Sequence, residues 1–332
     1  MSEPVPLVEL TRGDVVERMH RGHAVVINRD KKIVRSLGDA FKITYMRSCA
    51  KPVQVLPLVE SGGVEAFGFS GKELAIMCAS HYAEEFHIET LESILKKIGL
   101  SEKDLNCGVN TSLKLEYALE LARRQVPLNQ LYNDCSGKHV GMLALCLHRG
   151  YAIENYISPD HPVQKEILGT FAEFCEVPVS DIQTGIDGCS VPVFALPLYN
   201  MALAYLKLSN PGTGDNKYNQ SCKRVFHVMT AYPEMISGTG GFCSELIRHT
   251  GGKLIGKVGA EGVYCVGIKD AGLALAVKIE DGSMAVLSTV VLQLLSELGV
   301  LTGDEKERLS GLWYKDVLND RKVVVGIQRP CF

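Results

Sequence analysis

No stretch of this chain is both long enough and apolar enough to span a bilayer. Its start, Met1-Ser2-Glu3-Pro4-Val5-Pro6, has neither a basic region nor an apolar run. Membrane insertion and signal-peptide export are therefore not expected, which places the protein in the cytoplasm. An excess of one charge is missing as well: 35 Lys and Arg against 38 Asp and Glu leave a formal net charge of −3. Such near-balance excludes the basic footprint of a nucleic-acid binder. The Gly-rich runs around Gly238 and Gly251 carry no P-loop lysine and no dinucleotide fingerprint, so they read as turns. Internal repeats and low-complexity tracts are absent. The cysteines number 11, an odd count, and are scattered without the dense spacing of a disulfide-stapled domain. Most should be free thiols buried as small apolar residues.

What is present is the balance of an ordinary globular protein, 46% hydrophobic and 22% charged over 332 residues, enough to bury a sizeable core. Strand signals open the chain at Leu7 to Leu10, then at His23 to Asn28 and Ile33 to Leu37, a hairpin around the polar turn Arg29-Asp30-Lys31. A helix is expected to begin at Ser48, with Pro52 tolerated in its first turn. From Lys72 to about Leu208 the periodicity is mainly helical: Glu73 to Ala79, Glu89 to Ile98, Leu115 to Arg123, Lys138 to Leu147 and Gln164 to Phe174. Ser209 to Asn216 reads as an exposed loop. Strand signals return at Leu254 to Val258, Gly262 to Ile268 and Leu273 to Ile279, followed by a helix over Ser283 to Leu298 and a last strand at Val323 to Ile327. The order predicts an α+β fold whose antiparallel sheet is built from both chain ends, with a helical lobe inserted between them. The expected boundaries are residues 1–60 and 240–332 for the sheet domain and 61–239 for the helical one. A crevice between them is the natural site.

Within Ser48-Cys49-Ala50-Lys51, a serine and a lysine three positions apart fall on one face of a helix, one turn apart. A lysine can take a serine's proton only when desolvation or nearby positive charge keeps it neutral. Alone, Ser-x-x-Lys also suits an ordinary solvated helix start. Ser80-His81 and Lys257-Val258-Gly259 add to it, because the three blocks resemble in type and order the three motifs of serine β-lactamases and penicillin-binding proteins. Ser80-His81-Tyr82 lacks the Asn of the second motif, and Val258 replaces the Thr of the third. Both departures point away from β-lactam or cell-wall substrates.

Asp134-Cys135-Ser136-Gly137-Lys138-His139 and Gly185-Ile186-Asp187-Gly188-Cys189-Ser190 form a second constellation. One Cys-x-x-Lys and a distant Cys are a weak metal signature, since lysine must first lose its proton, and core packing is the default. Yet both cysteines stand in Gly-rich, Asp-containing turns, where a site near a cleft is expected. Tyr82, Tyr132 and Tyr264 read as packing residues with a bonded hydroxyl.

Over nearly its full length the chain resembles the rhizobial-type L-asparaginases, a thermolabile asparaginase II family. The resemblance rests on five blocks in order: RSCAKP from Arg47 to Pro52, ASHY from Ala79 to Tyr82, NDCSGKH from Asn133 to His139, GIDGCSVP from Gly185 to Pro192, and KVGAEGVYC from Lys257 to Cys265. It implies a fold similar to serine β-lactamases, hydrolysis of L-asparagine to L-aspartate and ammonia, and a homodimer. It further implies two catalytic pairs, Ser48 with Lys51 and Ser80 with Lys257. A zinc ion on Cys135, Lys138 and Cys189, tuning substrate binding rather than driving hydrolysis, is also implied.

The expected reaction is attack by Ser48, deprotonated by Lys51, on the side-chain amide, giving a β-aspartyl ester that water cleaves. Ser80 and Lys257 are expected to relay a proton to ammonia. Arg47 is the candidate for the substrate carboxylate, Asp187 for its ammonium or a zinc-bound water, and His139 for an assisting contact. A glutaminase or β-lactamase-like hydrolase is the competing enzyme reading, and a catalytically silent amino-acid sensor the competing non-enzyme one.

Overall fold

The computed structural model describes residues 2–212 and 217–332. Eleven strands appear in these residues: β1 (Val5–Arg12), β2 (Val15–Asn28), β3 (Ile33–Leu37), β4 (Ile43–Tyr45), β5 (Gln183–Ile186), β6 (Pro192–Pro197), β7 (Leu254–Gly259), β8 (Val263–Ile268), β9 (Leu273–Ile279), β10 (Lys315–Leu318) and β11 (Val324–Pro330). Eight of them form one sheet in the order β10-β11-β1-β2-β9-β8-β7, with β3 paired to β2. Every pairing is antiparallel. The α+β class and the sheet assembled from both chain ends are thus as the sequence predicts. β8 is buried at every residue and β9 at all but its first. Successive strand residues face opposite ways, so continuous burial means that both faces of the sheet centre are covered. Helix Leu198–Ser209 packs on β2, β8 and β9, and helix Leu287–Glu297 packs on β9 and β11.

The helical part holds the segments read from periodicity, including Leu115–Arg123 and Ser136–Arg149. Ser136–Arg149 is buried from Ser136 through Cys146 without a polar face, so it runs through the core. Three features differ from expectation. Residues 183–197, read as part of a helical stretch, form β5 and β6, which with β4 make a second small sheet. The apolar run Pro192–Pro197 is too short for its period to separate strand from helix. A further helix, Gly303–Trp313, follows the one expected to close the chain, entered through a capping box of Thr302 and Glu305. And Ser209 ends a helix instead of opening a loop, buried against Tyr205 O; residues 213–216 of the expected loop lie outside the described residues. Cys331 is half-buried and the other ten cysteines are buried, all of them free. Among the described residues no helix is long and apolar enough to cross a membrane.

Candidate functional site

The five sequence blocks converge at the end of β7. Ser48 lies in a tight 3-10 turn, Arg47–Ala50, which passes into a short helix at Lys51. Arg47, immediately before it, has φ +49°, a left-handed conformation unfavourable for a side-chain-bearing residue and held only by its surroundings. Those surroundings are specific. Cys49 Sγ donates to Lys257 O at 3.0 Å, and Tyr205 OH donates to Cys49 O at 2.9 Å. β7 ends flush against the turn: a Cβ at Gly259 would sit 2.8 Å from Met46 O and 3.3 Å from Arg47 Cβ. Ser48 itself is half-buried, and its hydroxyl has no hydrogen-bond partner among the described residues.

The bond expected from Lys51 to Ser48 is not formed. Because helix proper begins only at Lys51, the lysine stem turns inward, and its ammonium donates to Ala79 O at 2.6 Å and Ser80 Oγ at 2.9 Å. Asp134 Oδ2 lies 3.6 Å from the same nitrogen. Lys257 Nζ meets Ser80 Oγ from β7 at 2.8 Å and donates to Val258 O at 2.9 Å. The two lysines are fully buried and Ser80 nearly so, so a single hydroxyl bridges two amines out of water. Burial holds the Lys257 ammonium below the usual lysine range, and the neighbouring Lys51 charge adds to the shift against nearby thiols. Burial also works against the Asp134 carboxylate, but Lys51 and then Lys257 outweigh it and keep Asp134 below its ordinary value.

Cys135, Asp187 and Cys189 form the second cluster, with one donor atom of each within 4.8 Å of the others. Lys138 Nζ donates to Cys189 Sγ at 3.0 Å and stands 3.7 Å from Asp187 Oδ2. Helix Ser136–Arg149 can bring Lys138 here because Gly137 lies against the backbone of Ile76; a Cβ would be 2.0 Å from Ile76 O. A hydrogen bond from Cys135, followed by Lys138, pulls the Cys189 thiol down to about 5, while Cys135 is pushed up by the same bond and by burial. Lys138 is held above its usual range by the two sulfurs and Asp187, which together outweigh burial.

Arg47 joins the two clusters, donating from Nε to Asp187 Oδ1 at 2.9 Å. This leaves the Nη groups of the guanidinium without a partner among the described residues. His139 is fully buried between the cluster and Tyr156, whose hydroxyl lies 2.7 Å from His139 Nδ1 and accepts from Asn106 N at 2.9 Å. Among the described residues the phenol proton has no acceptor other than Nδ1, which puts the imidazole proton on Nε2, a buried donor with no partner among them. Burial, then Lys138, pushes His139 down to about 3, so the ring is neutral.

Two thiols and an amine suit zinc. Donors about 2.3 Å from a tetrahedral zinc ion stand roughly 3.8 Å apart, within the span of this cluster. Lys138 would have to release its proton, and its ammonium occupies the cationic role beside Cys189 that a metal would take.

Of the residues proposed from sequence, Lys51, Ser80 and Lys257 share one hydrogen-bonded group; Arg47, Cys135, Lys138, Asp187 and Cys189 share the other. Asp134 was missed although it stands inside a quoted block, because nothing local marks it as the counter-ion of Lys51. Tyr156 and Tyr205 carry no sequence signal at all. Matched against protein families, residues 8–330 fit the L-asparaginase II family. No curated protein matches the chain. Among solved structures, it is similar to a β-lactamase from Mycobacterium bovis, with 15% identity, a TM-score of 0.43, and coverage of 83% of this chain and 94% of that one. It is also similar to Mglu in its native form, with 15% identity, a TM-score of 0.38, and coverage of 86% and 66%. These overlaps are loose, whereas the family match spans every element that carries the two clusters, from residue 8 to residue 330, and the chain belongs to the L-asparaginase II family.

Proposed function

We propose that this protein hydrolyses L-asparagine to L-aspartate and ammonia through an ester on Ser48. The observation that carries the reading is the single buried hydroxyl of Ser80 between Lys51 and Lys257, with a half-buried Ser48 hydroxyl that has no partner among the described residues in the turn leading to Lys51. Ser80 is nearly buried and already bonded to both amines, which suits a proton bridge better than a nucleophile. Lys51 passes a proton through Ser80 to Lys257, whose charged form burial disfavours, and the freed Lys51 amine takes the proton of Ser48. Ser48 Oγ then bonds to the carboxamide carbon. Return of that proton to the amide nitrogen lets the C–N bond break and ammonia leave. Water repeats the sequence on the ester, restoring Ser48 and releasing aspartate.

The Nη groups of Arg47, aligned by Asp187, suit the substrate's α-carboxylate. The orphan Nε2–H of His139 offers a neutral donor alongside. Zinc on Cys135, Lys138 and Cys189, with its charge cancelled by two thiolates, supplies when bound a pole that anchors a ligand rather than one that strongly acidifies water. Ser48→Ala tests the nucleophile by ammonia release. Turnover should fall by several orders of magnitude, and a folded variant keeping a tenth of the activity overturns the assignment.

A further inference from the structure

A large cavity among the described residues lies away from the reacting cluster. It encloses about 820 Å³ where the ends of helices Leu198–Ser209 and Asn219–Ala231 meet the β2–β3 and β8–β9 turns. That is the size of a small-molecule site. Its base is apolar, made by Leu203, Leu206 and Phe226, all buried. Its rim is cationic from four separate elements: Arg29 and Lys31 from the β2–β3 turn, Lys207, Lys223 on helix Asn219–Ala231, and Lys269 from the β8–β9 turn. His227, one turn beyond Lys223, adds an imidazole on the same side of its helix.

The charge balance of the rim is unlike that of the chain. Glu176 pairs with Lys31 at 2.6 Å and with Lys207 at 2.8 Å, and among the described residues Asp270 is the one carboxylate on the lining. Among the described residues, five cations against these two carboxylates leave a local excess of about three positive charges in a protein whose formal net charge is −3. Lys223 and Lys269 have no anionic partner among the described residues, and Lys269 lies over the Phe226 ring at 5.9 Å from its centroid. Arg29 is held against the opposite turn by a bond from Nη2 to Asp270 O at 3.3 Å. Unpaired cations converging over an apolar, aromatic-bearing base suit a ligand with anionic groups at one end and a flat or apolar body at the other.

We propose that this cavity is a binding site for a phosphorylated small molecule of the nucleoside di- or triphosphate class, the phosphates meeting Lys223, Lys269 and Arg29 and the base lying on Phe226. It is separate from the serine–lysine and cysteine clusters and shares no residue with them.

Calorimetric titration of the full chain with ATP, inorganic pyrophosphate and adenosine tests the site. Comparison proteins are Lys223→Glu/Lys269→Glu and, as a control with the same charge change elsewhere, Lys103→Glu/Lys165→Glu. Retained ammonia release from asparagine shows that each variant is folded. The expected result is ATP binding with a Kd below about 1 mM, weaker binding of pyrophosphate, and none of adenosine. The cavity variant should lose at least about tenfold in ATP affinity while the control keeps it. Absence of ATP binding to the unaltered protein overturns the proposal, as does equal loss in both variants, which marks general charge attraction. Adenosine binding as tightly as ATP overturns the phosphate assignment.

Discussion

Replacing Ser80 with alanine removes one oxygen and leaves two buried amines facing the gap. Lys51 keeps Ala79 O at 2.6 Å and its ion pair with Asp134, and Lys257 keeps Val258 O at 2.9 Å. Each loses one charge-assisted hydrogen bond, about 1.5–3 kcal/mol apiece if both stay charged. Lys257 can relieve part of that by shedding its proton, since burial already holds it below the lysine range. A net loss of about 3 kcal/mol corresponds to roughly 4 °C in Tm for a chain of this length. The effect on rate should be larger, because the hydrogen-bond path that joins the two amines is cut. A positioned acid–base group contributes about 100-fold to 10,000-fold, or roughly 3–5 kcal/mol of barrier. Coupled ammonia release, with kcat and KM measured from neutral to alkaline pH, reads this directly. The expected outcome is a drop in kcat of about 100-fold or more, a smaller change in KM, and an altered pH dependence of kcat, since proton transfer to Lys257 is lost. A folded Ser80→Ala protein whose kcat stays within fivefold of the parent, on an unaltered profile, refutes the proton bridge.

Gly137 and Gly141 make a matched pair on one buried helix. Gly137→Ala would put a Cβ 2.0 Å from Ile76 O, forcing apart the segments that carry Lys138 and Ser80, and should cost about 3 kcal/mol or more and reduce activity. At Gly141 the new carbon meets only Met77 side-chain atoms at 3.4 Å, so Gly141→Ala should be neutral or stabilising by up to about 1 kcal/mol; urea midpoints that rank them the other way contradict the packing. Metal analysis of the purified protein should find about one zinc per chain, lost in Cys189→Ser with a rise in KM greater than the fall in kcat; full zinc content in that variant removes Cys189 from the ligand set. His87 and His139 are pushed down by burial from 6.5 to about 4 and about 3. Below pH 6.5 the unfolded chain takes up protons that the folded one refuses. Stability present above that pH should therefore fall as pH drops toward the folded values, by about 1.4 kcal/mol per unit for each histidine. Urea midpoints that stay level between pH 7 and pH 5 exclude neutral, buried rings.

The chain's strand–helix–strand order was legible because hydrophobic period is a local property. β7, β8 and β9, and helix Leu115–Arg123, fall where alternation and 3.6-residue periodicity put them. β5 and β6 were not legible, since a short apolar run fits a buried strand and a buried helix equally. At the site, residue types were readable and partners were not. Ser48, Lys51, Ser80 and Lys257 could be named from their blocks. That Lys51 bonds Ser80 in place of Ser48 depends on a 3-10 turn, whose geometry is set by contacts with β7 and Tyr205 far along the chain. Asp134 and Tyr156 acquire their roles only through neighbours 83 and 17 residues away.

By itself the amino-acid order determined the fold class and the family, and it named the candidate side chains, because these follow from periodicity and from short blocks that survive without coordinates. Only the tertiary structure decided which amine meets which hydroxyl, which acids and amines surround the two thiols and where the cations of the distant cavity converge. Each of those depends on distances across the core, and electrostatic and hydrogen-bond energies fall away within a few ångströms of contact.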